Sequence, residues 1–368
     1  RALRNQAGLL LPERRIGLSA HDFQQAASAP EVWFTRSIRS DDAETVPSRW
    51  LNRIKNLLAG LPDQNGPKAL ADMADRGAAW LQRVQALEEP GSVPAATRPA
   101  PCPPVAARPR DLSVTEIKHL IRDPYAIYAR HVLGLRPLDP LMKLPDALLR
   151  GIVLHASLEQ FIKDTLDDPG LCTREALLAK TETILAENVP WAEARAVWRA
   201  RMERVADWFI EGEFARRDVA RPSALEARGK ATLPDLGVTL KAQADRIDMD
   251  TRGALYIYDY KTGTPPSASE QEFFDKQLLL EAAIAEQAGF GDIAPSKVAQ
   301  AAFIGLGSTP KIVNAPLDKE PPEKVWKEFE ALMRAYLEPD RGFASRRAMQ
   351  KKTDKGDYDQ LARFGEWD

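Results

Sequence analysis

The chain has 368 residues, 44% hydrophobic and 28% charged, with a formal net charge of −2; this reads as a globular protein of two or more domains. Only two cysteines occur, Cys102 and Cys172, which excludes a four-cysteine zinc or iron–sulfur site within the chain and fits a reducing, cytoplasmic setting. No apolar run approaches the roughly 20 residues of a membrane span, and so small a net charge neither implies nor excludes a nucleic-acid partner, which local patches decide.

The chain opens on Arg1 without a signal peptide and reads as a fragment of something longer. Its first 89 residues are expected to be helical. Ser19 is a candidate cap before "HDFQQAA", and Ser48 caps a helix bearing Trp50, Leu51, Ile54, Leu57 and Leu58 at helical spacing. A third helix covers "KALADMADRGAAWLQRVQAL". Residues 90–110 hold seven prolines and read as an extended linker, which leaves 111–368 as the larger domain.

That domain starts with a capping box, Ser113 and Glu116, on a helix that breaks at Pro124. Helices are expected over 145–166, with Leu148, Ile152, Leu158, Phe161 and Ile162 on the apolar side, and over 174–188 and 191–217. The last carries a core stripe of Trp198, Met202, Val205, Trp208 and Phe209. The period then changes to two. "SALEARGKATLP", "VTLKAQADRIDMD" and "GALYIYDYKTG" read as three strands, with a tight turn at "DTRG" (250–253). A helix over 268–288, a strand at "KVAQAAFIGLG" and a helix over 321–337 follow. The order implies a mixed sheet flanked by helices, an α/β or α+β fold.

Strand alternation puts Leu255, Ile257, Asp259 and Lys261 on one face of the third strand, and Tyr256, Tyr258 and Tyr260 on the other. Pairing the second and third strands across 251–252 sets Asp245 opposite about residue 258, within one place of Asp259. Two close carboxylates repel unless a cation lies between them. Mg²⁺ binds through one or two carboxylates and leaves positions for water and phosphate, and a neighbouring lysine can activate water or stabilise a pentavalent phosphate. Asp245, Asp259 and Lys261 therefore suggest metal-dependent phosphodiester cleavage. In "GIVLH", Gly151 and His155 share a helix face, and His155 is a possible metal ligand. Gln277 lies on the helix that leaves the site.

Taken together, "GIVLH", "ALEARGK", "AQADRIDMD", "DYKTG" and "DKQLLL", in that order, resemble the RecB-type nuclease domain of the PD-(D/E)XK superfamily over roughly residues 113–305. The resemblance implies a restriction-endonuclease-like core and a Mg²⁺- or Mn²⁺-dependent deoxyribonuclease. It gives metal binding to His155, Asp245, Asp259 and the carbonyl of Tyr260, catalysis to Lys261, assistance to Glu226, and DNA positioning to Gln277. Relatives often carry Tyr four residues after the Gln, where this chain has Glu281. Some relatives clasp the domain with an iron–sulfur cluster. Asp123 stands here in place of one of its cysteines and the tail has none, so no cluster is expected.

Upstream, "WFTRSIR" resembles the closing motif of a helicase-like lobe. The layout as a whole is similar to the AddB family of subunits in AddAB helicase–nucleases, in the alphaproteobacterial version. That implies an AddA-like partner subunit, broken double-stranded DNA ends as substrate, and a role in resection for recombination. A stand-alone RecB-like exonuclease and a catalytically silent scaffold are the alternatives. For phosphate contacts, "RGFASRRAMQKK" (341–352) offers Arg341, Arg346, Arg347, Lys351 and Lys352, and the strand beside the site offers Arg228 and Lys230.

Overall fold

The computed structural model describes residues 2–9, 12–40, 43–89, 91, 94–138, 140–142, 144–351 and 353–367. The chain divides into two compact units, Arg1–Pro94 and Ala95–Asp368. No helix among the described residues is long and apolar enough to cross a membrane.

In the first unit the main helices are Pro12–Ala27, Arg49–Ala59 and Gly66–Glu88. Ser48 caps the second, accepting from the Trp50 N–H at 3.3 Å. Ser19 is not a cap, because the first helix already begins at Pro12, whose fixed φ suits a first turn. Among the described residues of this unit no large apolar side chain is buried, and Trp33, Trp80, Leu81 and Leu87 are exposed.

The second unit takes in the later half of the proline-rich stretch, which is packed rather than free. Proline lacks an N–H but keeps its carbonyl as an acceptor. The Pro99 and Pro101 carbonyls accept from the N–H groups of Ser345 and Phe343, at 3.0 and 2.9 Å. The buried Arg108 guanidinium donates to the carbonyls of Pro103, Tyr336, Glu338 and Pro339. The expected linker therefore ends within this unit's own surface.

The elements that follow are β1 (Asp111–Ser113), α1 (Val114–Arg122), α2 (Ala147–Asp167), α3 (Arg174–Asn188), α4 (Ala192–Val219), β2 (Arg221–Leu233), β3 (Val238–Met249), β4 (Leu255–Lys261), α5 (Ala268–Phe273), α6 (Gln277–Gln287), β5 (Val298–Gly305), β6 (Lys311–Asn314) and α7 (Pro322–Leu337). The Ser113–Glu116 capping box forms at the start of α1. The sheet is mixed. It runs β1-β3-β4-β5-β6 with β2 on the far side of β3; β1–β3 and β4–β5 are parallel, and β2–β3, β3–β4 and β5–β6 antiparallel. On one edge β3 pairs with β1 at residues 239–241 and with β4 at 246–249. The interval between those pairings is where the site opens.

The alternation of β4 is realised. Leu255 and Ile257 join a core with Ile117 and Leu120 of α1, Leu278 of α6 and Phe329 of α7. Tyr258 and Tyr260 join a second core with Phe161 of α2 and Met202 and Phe209 of α4. The sheet is thus a middle layer between helices. Trp198, Met202, Val205 and Phe209 are buried as expected, with Trp208 half-buried. Leu148 and Ile152 depart from expectation: both are exposed, and Val153 and Leu154 face inward instead.

Two short strands, β1 and β6, carry too few residues to show a period. The helix expected over 268–288 breaks at 274–276. There Asp275 pairs with Lys118 at 2.8 Å, and Lys276 with Glu320 and Glu328, both at 2.8 Å. Ion pairs with three other segments hold that turn open, and local sequence cannot anticipate them.

Candidate active site

The site grows out of the β3–β4 hairpin. Asp250 Oδ1 accepts from the N–H groups of Arg252 and Ala254, both at 2.8 Å, and Gly253 adopts φ 83°. This turn is one residue longer than a turn centred on 251–252. Arg246 therefore pairs with Tyr258 and Ile247 with Ile257, and the same register sets Asp245 against Asp259. Strand alternation brought the two carboxylates close, and the turn's own hydrogen bonds set the final place.

Next to them β2 is kinked. Glu226 lies between Leu225, which pairs with Arg246, and Ala227, which pairs with Ala244, hence across from Asp245. Its φ is 51°, a left-handed value that costs a non-glycine residue energy and is concentrated at functional sites. The kink turns the strand over: Leu225 packs against the second core and Ala227 against the first, although regular alternation would put both on one face.

His155 of α2, Glu226 and Asp245 each bring a ligand atom within 4.8 Å of the others. His155 Nδ1 is 3.4 Å from Asp245 Oδ2, and the Tyr260 N–H donates to the same oxygen at 2.7 Å. The Tyr260 ring meets the His155 ring edge-on at 6.2 Å, and Gly151 faces Thr262, one turn before His155. Burial would lower the His155 pKa, but the Asp245 hydrogen bond and the Asp245 and Asp259 charges outweigh it and raise it. Burial, and then the Asp245 charge, push Glu226 up. One imidazole nitrogen and two carboxylates with surplus negative charge form a donor set that fits Mg²⁺ or Mn²⁺.

Asp259 stands outside this trio. Its Oδ2 is 2.8 Å from Lys261 Nζ and its Oδ1 accepts from Gln277 Nε2 at 2.6 Å. The Gln277 Oε1 accepts from Lys261 Nζ at 3.1 Å. Both Asp259 oxygens thus serve the lysine and the amide, and Glu226 takes the third place in the metal-capable group. The part the structure gives Tyr260 is its N–H. Burial raises the Asp259 pKa to about 6 despite the opposing Lys261 charge. The same pairing raises Lys261 against its own burial.

A groove of about 780 Å³ leads to this cluster, lined by Arg228, Lys230, Lys241, Gln243 and Gln277 among others. Lys230 and Lys241 are directly opposed across β2 and β3, and like charges so placed destabilise a sheet. Asp111 answers Lys241 at 3.0 Å, and the remaining excess suits a polyanion. Gln243 Nε2 donates to Glu226 Oε2 at 2.6 Å and so ties the groove to the trio. Sequence reasoning missed Lys241 and Gln243. The signal was there: in "KAQAD", Lys241 and Gln243 alternate toward Asp245 and share its side of the strand.

The basic tail is different. Arg346 is buried; its guanidinium donates to the Asp354 carbonyl at 2.7 Å and to Asp359 at 3.1 Å, and it lies 3.8 Å from the Phe364 ring centre. The Arg346 N–H donates to Asp123 at 2.9 Å. Arg346 therefore clasps the tail to α1 and is not available to a phosphate, contrary to the sequence reading. Arg347 and Lys351 are exposed, and Lys352 lies outside the described residues.

Three comparisons bear on this arrangement. The chain is similar to an uncharacterized protein of Rickettsia typhi (strain ATCC VR-144 / Wilmington), 32% identical over 190 residues, covering 50% of this chain and 22% of that protein. It is likewise similar to one of Rickettsia bellii (strain RML369-C), 31% identical over 185 residues, covering 50% of this chain and 22% of that protein. The chain thus spans well under two thirds of the length of these relatives. A crystal structure named "Putative exonuclease", from Eubacterium rectale, covers 70% of this chain and 95% of its own at 11% identity and a TM-score of 0.36. The family model for the PD-(D/E)XK nuclease superfamily matches residues 111–357. That span holds the whole sheet, its flanking helices and every residue of the trio, the Asp259–Lys261–Gln277 cluster and the groove, and the chain belongs to the PD-(D/E)XK nuclease superfamily.

Proposed function

We propose that the chain is a divalent-cation-dependent deoxyribonuclease that hydrolyses phosphodiester bonds in DNA. One observation carries the reading: a three-residue metal-capable group, His155, Glu226 and Asp245, adjoins the pair of half-buried Lys261 and buried Asp259 at the end of a basic groove. When bound by that trio, Mg²⁺ or Mn²⁺ supplies polarisation of the phosphoryl group and a water of lowered pKa.

The chain's own residues do the rest. Arg228, Lys230 and Lys241 neutralise backbone phosphates along the groove. Lys261, fixed by Asp259 and Gln277, presents a cation where negative charge develops on the phosphate and can donate to or orient the attacking water. Glu226, tied to Gln243 of the groove, completes the trio beside Asp245 and His155.

The finer reading is that this nuclease works within a longer helicase–nuclease of the AddB kind, beside an AddA-like subunit, on broken double-stranded DNA ends during resection. It rests on the motif order and on "WFTRSIR" in the first unit, and the greater length of the relatives agrees with it.

The test is cleavage of end-labelled single-stranded DNA by this chain with Mg²⁺ and with EDTA, beside Asp259→Ala. Metal-dependent cutting lost in the variant is expected. Cutting that persists in EDTA or in Asp259→Ala overturns the assignment.

A further inference from the structure

Glu281 is an acid that the proposed chemistry does not use. It sits on α6, one turn beyond Gln277, and is fully buried. Its Oε1 accepts from Gln277 Nε2 at 3.1 Å. Its Oε2 has no hydrogen-bond partner among the described residues. Lys261 is near but makes no ion pair with it, and a buried carboxylate with one donor and no cation in contact is costly, so the group keeps its proton. Burial, with the nearby charges of Asp259 and Asp245, pushes its pKa far above the usual carboxylate range. A protonated Glu281 still offers a carbonyl-type acceptor toward Gln277.

The Gln277 amide has two N–H donors and one oxygen. Its nitrogen lies 2.6 Å from Asp259 Oδ1 and 3.1 Å from Glu281 Oε1, and its oxygen lies 3.1 Å from Lys261 Nζ. An ammonium can only donate, so the oxygen must face Lys261. With the nitrogen held by two acceptors, the amide cannot turn over.

We propose that Glu281 is a positioning residue: by accepting the second N–H of Gln277 it locks that amide in the one orientation that anchors the Lys261 ammonium beside Asp259. The inference rests on the nuclease reading for its catalytic consequence, but the lock itself stands on the contacts. What Glu281 contributes is an acceptor of the right length at a dry position, and not a negative charge. Glutamine can supply the same acceptor, with its amide nitrogen where Oε2 stands. Methionine fills the space and supplies none.

The experiment compares Glu281→Gln, Glu281→Met, Gln277→Ala and the Gln277→Ala/Glu281→Met double variant in the full chain. Single-stranded DNA cleavage in Mg²⁺ gives kcat and KM, and thermal unfolding checks the fold. Glu281→Met is expected to lose about tenfold or more in kcat with KM changed less than about twofold. Glu281→Gln is expected within about threefold of the parent, and the double variant no slower than Gln277→Ala alone.

An activity-independent readout is the Lys261 ammonium resonance in nitrogen-15 NMR, expected to broaden or vanish in Glu281→Met and to persist in Glu281→Gln. If Glu281→Gln is as slow as Glu281→Met, the charge acts and the proposal fails. It also fails if the two single-variant losses multiply, or if Glu281→Met keeps both the parental rate and the resonance. Should Glu281→Met not fold, Glu281→Gln and Gln277→Ala decide by the same resonance. A parent chain that cuts no DNA overturns the nuclease reading instead, and the resonance still decides the lock.

Discussion

Two charge clusters sit back to back on one hairpin, and they behave in opposite ways. Asp245 and Arg246 are neighbours on β3. Asp245 looks into the open site, with Glu226, His155 and the Asp259–Lys261 pair close by. Arg246 looks the other way and is fully buried. It grips Asp248 with two donors, at 2.6 and 2.7 Å, and Glu213 of α4 with a third at 2.6 Å. Arg216 and Arg217 also reach Glu213, at 3.0 and 2.6 Å, and Arg217 extends to Thr165 of α2.

The inner cluster has three arginines for two acids, so both acids are paired, while Arg216 keeps Nε and Nη1 without a hydrogen-bond partner among the described residues. Burial alone would raise Glu213, but Arg246 and the other arginines win and hold it down to about 2. Asp248 has only Arg246 as a hydrogen-bonding arginine, and burial still pushes it up. The outer cluster has three carboxylates for one lysine and a histidine, and its acids Asp259 and Glu226 move up. The difference is a count of cations within reach. A network whose acids are paired fixes α2, α4 and β3 to one another; one left short of positive charge is ready for a metal and a phosphate.

Breaking the outer cluster should have the largest effect. Lys261→Ala is expected to lower kcat by up to about 10⁴-fold, on the order of 5 kcal/mol, with circular dichroism and melting close to the parent. In the parent, the rate should fall as pH drops through about 6, where Asp259 takes a proton and its hold on Lys261 weakens. A pH–rate profile flat from 5 to 8 would count against that role.

Breaking the inner cluster should cost stability instead. Glu213→Ala leaves Asp248 to face three arginines, takes from the buried Arg216 the carboxylate it pairs with, and is expected to cost about 3–5 kcal/mol in chemical denaturation. The folded molecules that remain should bind metal as the parent does. The sign with pH follows from the depressed value. The contribution of Glu213 is present above its unfolded pKa, 4.5, and is lost as pH falls toward about 2. The parent and variant should therefore converge in stability over that acid window, and a constant gap down to pH 2 would contradict the account.

A finer cut lies within the outer cluster. Glu226→Ala and His155→Ala should each weaken Mn²⁺ binding by about 10- to 100-fold by calorimetry or electron paramagnetic resonance. Lys261→Ala should leave Mn²⁺ binding near the parental value. The smallest effects belong to the groove. Lys230→Gln and Lys241→Gln should each reduce the slope of log K against log salt for DNA binding by about 1. Arg346→Gln, committed to the tail clasp, should lower the melting temperature and leave that slope unchanged.

Much of this was legible in the residues. Period-two alternation placed Asp259 and Lys261 on one face and the tyrosines on the other. The capping box at Ser113, the helix 174–188 and the long helix to the edge of β2 follow from local spacing. Other features were not. Arg346 belongs to a basic run by composition and to a buried clasp by its partners, 8 and 13 residues further on. Leu148 and Ile152 fit an apolar stripe by period but point outward, because α2 meets the sheet through Leu154 and the α3–α4 pair through Val153. Glu281 looks like one more helical acid until the packing of α6 over Asp259 and Lys261 removes its water.

What the sequence by itself determined were the short-range terms: periodicity, capping, strand alternation and the presence of Asp245, Asp259 and Lys261 at pairing distance. These depend on neighbours within a few residues, and a one-dimensional pattern carries them in full. Only the tertiary structure decided that Glu226 completes the metal-capable trio, that Asp259 is held by Lys261 and Gln277, and which acids rise and which fall in pKa. Those outcomes depend on distance in space and on how far water is excluded, and electrostatic energy in a dry interior changes steeply with both.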